Sequence, residues 1–448
     1  MHTIDLRSDT VTLPTKEMRE AISNAELGDD VFQEDPTINN LEKLAAKKFN
    51  KEAAIFLPSG TMANLVAVLT HCNRGDEVIL GDQSHTFLYE AGGISSFGGV
   101  HSRQLKNHND GTIHLNDIKN AIRKKDVHFP PSRLICLENT HNRCFGMPLE
   151  TNYVNEVVDI AKNNDMSVHV DGARIFNAAV ATGSTVADLT KNVDSVSFCL
   201  SKGLSAPSGS LLCGDKNFIH RARFNRKALG GGMRQAGILA AAGVVAIDIM
   251  SAKIIEDHRN AKALAVGIAK IDGIIIETEK IKTNIIYFKL DHPKINSESL
   301  LDIMSKKNIR FFELGPNWFR LVTHSGISKE NIDYVISEFD SFFSQAWMKV
   351  LDLKQTKISI IFLSFLLTVN LNASETIFPR NISDINGDKL SFSILSKDKI
   401  VCLITIKSIT CPICIEQLER IKKKVLNFEK CNLTFIVLVP GPLKGIKA

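Results

Sequence analysis

Strong charge of either sign is missing from this sequence. Over 448 residues the formal net charge is +5 and charged residues make up 23%, so there is no electrostatic case for nucleic acid as a partner. Disorder has no compositional basis either, because the hydrophobic fraction of 44% is that of a globular chain. Internal repeats are absent. The nine cysteines are an odd number, and Cys72, Cys136, Cys144, Cys199 and Cys213 show neither pairing nor metal-ligand spacing. They read as reduced thiols in a cytoplasmic protein, and no metal site is expected. Met1 to Arg7 lacks the basic start and apolar run of a secretory signal, which also points to the cytoplasm.

A chain of this length implies two or three domains. Between about residues 50 and 215, short apolar runs alternate with helical patterns, the order of an α/β fold. Candidate strands are Ala53–Leu57, Glu77–Gly81, Arg133–Glu138, Ser167–Asp171, Asp194–Leu200 and Ser210–Gly214. Their near-continuous apolar character suits a mostly parallel sheet covered on both faces, with ligands beyond the strands' C-terminal ends. Helices are expected over Ala63–Thr70, Asn116–Arg123 and Val154–Asn163, with a closely packed small-residue helix at Gly237–Ala246. Domains are expected over 1–250 and, as a smaller α+β part, 251–346. The smaller one carries strands at Asn284–Leu290 and Arg320–Thr323 and helices at Ser297–Lys306 and Lys329–Phe343.

Polar groups collect at four of these strand ends. Pro58-Ser59-Gly60-Thr61 opens a helix and offers backbone N–H groups to a phosphate, although the tripeptide alone is more often an ordinary capped turn. Asp171 ends a buried strand and needs a partner, either a pyridinium N–H or simply Arg174. Lys202 follows an apolar strand directly; most such lysines are solvated, but a Schiff-base lysine must occupy such an edge. Asn139, in the cluster Glu138 to Asn142, has two equal readings, a contact to a cofactor ring oxygen or a loop support.

The segments DLRSDTVTLP (5–14), GDDVF (28–32), LPSGTMANL (57–65), LENTHN (137–142), HVDGARIFNA (169–178), CLSKGL (199–204) and GGGMRQAGILAAAG (230–243) resemble the low-specificity L-threonine aldolases. Those enzymes are pyridoxal-phosphate (PLP) lyases of the aspartate-aminotransferase-like fold, and the resemblance runs from about Ile4 to Phe343. It implies PLP as cofactor, with Lys202 as the Schiff-base lysine, Asp171 on the pyridine nitrogen, Gly60 and Thr61 on the phosphate, Arg174 near the ring and His85 on its face. It further implies Asn139 among the cofactor contacts, Lys227 and Arg234 as cationic positions meeting phosphate, and Arg320 with Ser8 on the substrate carboxylate. His85 and His128 become the candidate bases toward the β-hydroxyl of a small amino-acid substrate. The implied assembly is a homodimer or homotetramer. Phe87 departs from a common tyrosine of the family, which bears on substrate preference. The same Lys202 and Asp171 would serve a β-eliminating lyase or a transaminase, and a membrane-tethered thiol-redox protein with an inactive aldolase-like part is the competing non-enzyme reading.

The resemblance covers nothing after Met348. Residues 348–373 read as a signal peptide in an unusual place, with the apolar run Ile358–Leu371 too short for a confident membrane span. Residues 374–448 resemble part of a thioredoxin-like domain, with strands at Asp398–Ile406 and Leu433–Val439 around a CxxC pair, Cys411 and Cys414. This tail reads as a second coding unit joined to the first, and as dispensable for the activity of the front part.

Overall fold

The computed structural model describes residues 3–345 and, in the C-terminal part, the strands Ile382–Ser383, Lys389–Leu390, Ile400–Thr405 and Leu433–Leu438. The chain divides into two compact units, Met1–Leu353 and Lys354–Ala448. Both the large and the small part expected of the aldolase-like region lie within the first.

Seven strands of the first unit form its main sheet: β1 (Ala53–Leu57), β2 (Glu77–Gly81), β3 (His101–Leu105), β4 (Ser132–Glu138), β5 (Ser167–Asp171), β6 (Ser195–Cys199) and β7 (Ser210–Gly214). Their order is β1-β7-β6-β5-β4-β2-β3, and β7 alone runs against the others. The sequence anticipates six of these strands to within a residue or so and misses β3. That strand lies at the sheet edge, is polar and is half exposed, so it carries no apolar run to betray it. The central strands are buried on both faces, as their composition demands: every residue of β6 and β7 is buried.

Helices cover the sheet by presenting apolar faces. Thr151–Lys162 buries Val154, Val157, Val158, Ile160 and Ala161 while its other side faces water. The small-residue helix Gly237–Val245 passes through a π-helical turn, Ala246–Met250, into Ser251–Ile268. By length and composition this continuous helix could cross a membrane; its Ala240, Ala242 and Ala246 belong instead to the main core and its Ala261, Leu264 and Ile268 to the core of the smaller part.

That smaller part is an antiparallel sheet of β8 (Ile274–Ile275), β9 (Ile285–Leu290), β10 (Phe312–Gly315) and β11 (Trp318–Val322), ordered β10-β11-β9-β8. Helices at Ser297–Lys306 and 329–345 pack on it around Phe288, Phe319, Phe339 and Phe343. The N-terminal strand Ile4–Asp5 pairs in parallel with Ile309–Arg310. Residues 6–9 are thereby anchored to the smaller part while lying across the mouth of the main sheet.

In the second unit Ile400–Thr405 pairs in parallel with Leu433–Leu438, and Ile382–Ser383 pairs antiparallel with Lys389–Leu390. The two longer strands match the sequence expectation. The signal-like run Ile358–Leu371, the expected start at Met348, and Cys411 and Cys414 lie outside the described residues.

Candidate active site

The C-terminal ends of β1, β4, β5 and β6 share one edge of the sheet, and the side chains there converge. Asp171, the last residue of β5, is 4% exposed. Its Oδ2 accepts Asn64 Nδ2 at 2.9 Å and its Oδ1 the N–H of Ala173 at 3.1 Å. The following Gly172 is required by packing, since a Cβ there would stand 2.6 Å from the carbonyl oxygen of Ser197 on β6. Lys202 lies three residues beyond β6 in a turn held by Thr12, whose hydroxyl donates to the Lys202 carbonyl at 3.1 Å. The lysine is close enough to Asp9 and His85 for its charge to act on both.

After β2, His85 begins a short helix and its backbone N–H donates to Glu138 Oε2 at 2.7 Å, which locks the loop onto the end of β4. Its Nδ1 lies 2.8 Å from Glu90 Oε1. After β1, Ser59 caps the helix Gly60–His71 by accepting from Met62 N–H. The first-turn N–H groups of Gly60 and Thr61 have no intrahelical acceptor and point out of the helix end, where the helix dipole also favours an anion. Gly60 permits that helix to sit against β6, because a Cβ there would be 2.7 Å from Cys199 Sγ.

Two buried guanidinium groups complete the site. Arg174 is 6% exposed and grips Asp9 with its fork, Nε to Oδ2 and Nη2 to Oδ1 both at 2.7 Å. Burial opposes the charge of Asp9, yet the Arg174 pair overcomes it and holds the carboxyl well below the usual range. Arg320, on β11 and 8% exposed, donates to Asn142 Oδ1 at 2.9 Å and to the Arg7 carbonyl at 3.0 Å. Its Nε is buried without a partner. Desolvation and the neighbouring Arg174 push its pKa down, against the opposing influence of Tyr287 and Asp9. An unmet buried donor of this kind costs about 1–3 kcal/mol, and an incoming carboxylate would relieve it.

Several expectations are corrected by this geometry. Asn139 does not present its amide to the site: Oδ1 accepts Leu149 N–H at 3.1 Å and Nδ2 donates to Leu149 O at 3.4 Å, so it is a loop support. Arg174 directs Nε and Nη2 of its fork to Asp9. His128 lies before β4, hence at the opposite edge of the sheet from Lys202, with its side chain 80% exposed and bonded to Asp126. A parallel strand separates its two ends, so His128 cannot belong to the site of its own chain. Ser8 caps the turn Asp9–Val11 through Thr10 N–H, and it adjoins the Arg7 carbonyl that receives Arg320. Lys227 and Arg234 flank a glycine run whose Gly231 packs on Met62, in the first turn of the capped helix; Lys227 is exposed, and Arg234 pairs with Asp29 at 2.9 Å. The sequence reasoning missed Asp9, Asn64 and Glu90. All three sit in or near motifs it used, but none carries a local signal that separates a buried network member from a turn or helix residue.

An aldehyde for the lysine, a ring nitrogen for the terminal carboxylate of β5, a flat face for the imidazole and a phosphate for the helix end are the parts of one cofactor. The chain is a pyridoxal-phosphate enzyme of the α/β class. A family model described as beta-eliminating lyase matches residues 5–291. The chain is 47% identical over 347 residues to the probable low-specificity L-threonine aldolase 2 of Arabidopsis thaliana, covering 77% of this chain and 98% of that protein. It is 42% identical over 342 residues to the low specificity L-threonine aldolase of Escherichia coli K12, covering 76% of this chain and all (100%) of that one. Among solved structures, the threonine aldolase of Leishmania major shares the fold at a TM-score of 0.66 and 16% identity, over 76% of this chain and 99% of that one. The chain belongs to the beta-eliminating lyase family and, within it, to the low-specificity L-threonine aldolases.

Proposed function

We propose that this chain cleaves the Cα–Cβ bond of L-threonine or L-allo-threonine to give glycine and acetaldehyde. The observation that carries this reading is the buried, unpartnered Nε of Arg320, which the smaller sheet brings to the loop after β4 through its bond to Asn142. It supplies what an amino-acid substrate needs beyond the cofactor, a binding point for its carboxylate. The reading rests also on the relatives, whose names give this activity to enzymes aligned with nearly their whole length.

The residues present fit PLP: Lys202 would hold its aldehyde, Asp171 the ring nitrogen, His85 the ring face, and the first turn of Gly60–His71 the phosphate. When bound, the cofactor supplies an electron-accepting ring that stabilises negative charge at the substrate Cα. Arg320 fixes the substrate carboxylate and so selects which bond at Cα is broken. His85 accepts the proton of the β-hydroxyl through Nε2, since its Nδ1 is turned to Glu90. Asp9 holds Arg174 in place beside Arg320. Incubating the purified protein with each threonine diastereomer tests the reading: glycine with acetaldehyde supports it, whereas ammonia with 2-oxobutyrate would identify the β-eliminating alternative.

Arg320→Lys keeps the positive charge but loses the planar fork, and it should raise KM about 10- to 100-fold with a smaller change in kcat, or about 1.4–2.7 kcal/mol of binding. An unchanged KM would remove Arg320 from the carboxylate site.

We further infer a cytoplasmic homodimer or homotetramer. Leu13, Phe32, Phe97 and Phe224 are 67–76% exposed, large apolar side chains that a subunit contact would cover. His128 can reach a substrate only in another copy's site. Ending the chain at Trp347 should leave kcat/KM and PLP content within about twofold, less than 1 kcal/mol, with the same assembly by light scattering. A loss beyond tenfold would show that the tail serves the enzyme.

A further inference from the structure

Asn64 is a polar residue in the buried face of the helix Gly60–His71, and its surroundings settle how its amide is turned. Oδ1 accepts the Ser197 hydroxyl at 2.7 Å and lies 3.3 Å from His169 Nε2. Nδ2 therefore faces the opposite way, where it meets Glu90 Oε1 at 2.8 Å and Asp171 Oδ2 at 2.9 Å. Glu90 Oε1 in turn lies 2.8 Å from His85 Nδ1. Ligand-type atoms of His85, Glu90 and Asp171 thus stand within 4.8 Å of one another, and the shared Asn64 amide accounts for that closeness. One oxygen of a carboxylate that is 4% exposed receives both donors, and its other oxygen, Oε2, is buried without a partner. Such a carboxylate is costly to bury for packing alone.

A carboxylate facing Nδ1 places the imidazole proton there and leaves the lone pair on Nε2. We propose that Glu90 is a positioning residue of the cleavage reaction, fixing the tautomer and orientation of His85 so that Nε2 takes the β-hydroxyl proton, with the imidazolium that forms held by the Glu90 carboxylate. The inference rests on His85 being the base. In the step the O–H bond breaks and an Nε2–H bond forms, the O–H electron pair becomes the second C–O bond of the aldehyde, and the Cα–Cβ pair stays with the glycine carbon. That carbon later takes up a proton, so none is consumed overall.

The charges around the pair agree with this role. Burial works against the charge of His85, but the Glu90 hydrogen bond and the field of Asp171 outweigh it and the opposing field of Lys202, so its pKa is raised. Glu138 receives its backbone N–H, and the Tyr89 ring lies 5.5 Å away. Glu90 itself is surrounded by His85, Asn64 and Asp171 above the buried Cys136, and desolvation raises its pKa.

The sign of the effect follows. His85 must be unprotonated to accept the hydroxyl proton, so kcat/KM falls as pH drops through its pKa. Glu90→Gln keeps an oxygen for Nδ1–H but removes the charge that favours the imidazolium. Expected are an acid limb of the kcat/KM profile displaced to lower pH, a plateau reduced about tenfold as part of general-base assistance, and an unchanged dissociation constant for PLP titrated into the cofactor-free protein. Glu90→Ala, which also loses the orientation, should fall further. A Glu90→Gln profile superimposable on the parent would overturn the proposal. So would a PLP affinity lost in proportion to activity, which would show that Glu90 acts through Asn64 on Asp171. His85→Asn separates the underlying reading: if it keeps the parent's acid limb, the base is another group and the role of Glu90 falls with it.

Discussion

Replacing Lys202 by alanine is expected to abolish the near-visible absorbance of the PLP-loaded protein and to lower aldol cleavage by more than about 10³-fold, above about 4 kcal/mol of transition-state stabilisation. The reason is positional. Lys202 is the lysine at the converging strand ends, three residues past β6, and its turn is pinned by Thr12. No histidine or arginine of the site can replace a primary amine in a Schiff base. Borohydride reduction of the parent followed by peptide mapping should find the pyridoxyl group on Lys202, and a label on any other lysine would remove the assignment. Because Lys202 also acts on Asp9 and His85 through its charge, the variant should be checked for folding by circular dichroism. Loss of the band with the fold intact is the expected pattern.

How much of this could be read beforehand depended on whether a residue's role is written locally. β4, β5 and β6 are apolar runs ending in polar residues, and that pattern alone placed Glu138, Asp171 and Lys202 on one edge. β3 could not be read, because an exposed edge strand needs no apolar run and HSRQL has none. Asn139 and His128 show a different limit. A family motif gives a residue's neighbourhood in sequence but not the direction of its side chain, and Leu149, ten residues on, claims the Asn139 amide. His128 precedes its strand by a few residues and is thereby carried to the far edge, a consequence of strand direction that the resemblance does not encode. Asp9 and Asn64 pair with groups 165 and 107 positions away, and no spacing rule reaches so far.

Asp9 and Arg174 provide the second large effect, on stability instead of chemistry. Both are buried, with side-chain exposures of 0% and 5%, and two bonds of 2.7 Å join them in a fork. Asn284 Nδ2 also donates to Asp9, at 3.2 Å. Breaking a buried pair leaves one charge without its partner, which typically costs about 3–5 kcal/mol. Asp9→Asn leaves the buried Arg174 without its carboxylate and removes a negative charge that acts on Arg320; Arg174→Met leaves a buried carboxylate. Each should lower the thermal midpoint by roughly 6–20 °C, at about 2–4 °C per kcal/mol for a domain of 150–250 residues and less for a longer one. The pH dependence has a fixed sign. The folded pKa of Asp9 is depressed, so its contribution is complete above the unfolded carboxyl pKa and is lost as pH falls toward the folded value. The parent should therefore approach the stability of Asp9→Asn only in strong acid. Combining Asp9→Asn with Arg174→Met should cost much less than the sum of the two, with a coupling above about 2 kcal/mol. Additive losses, or an Asp9→Asn midpoint within about 2 °C of the parent at neutral pH, would mean that the fork is not what holds the N-terminal segment across the site.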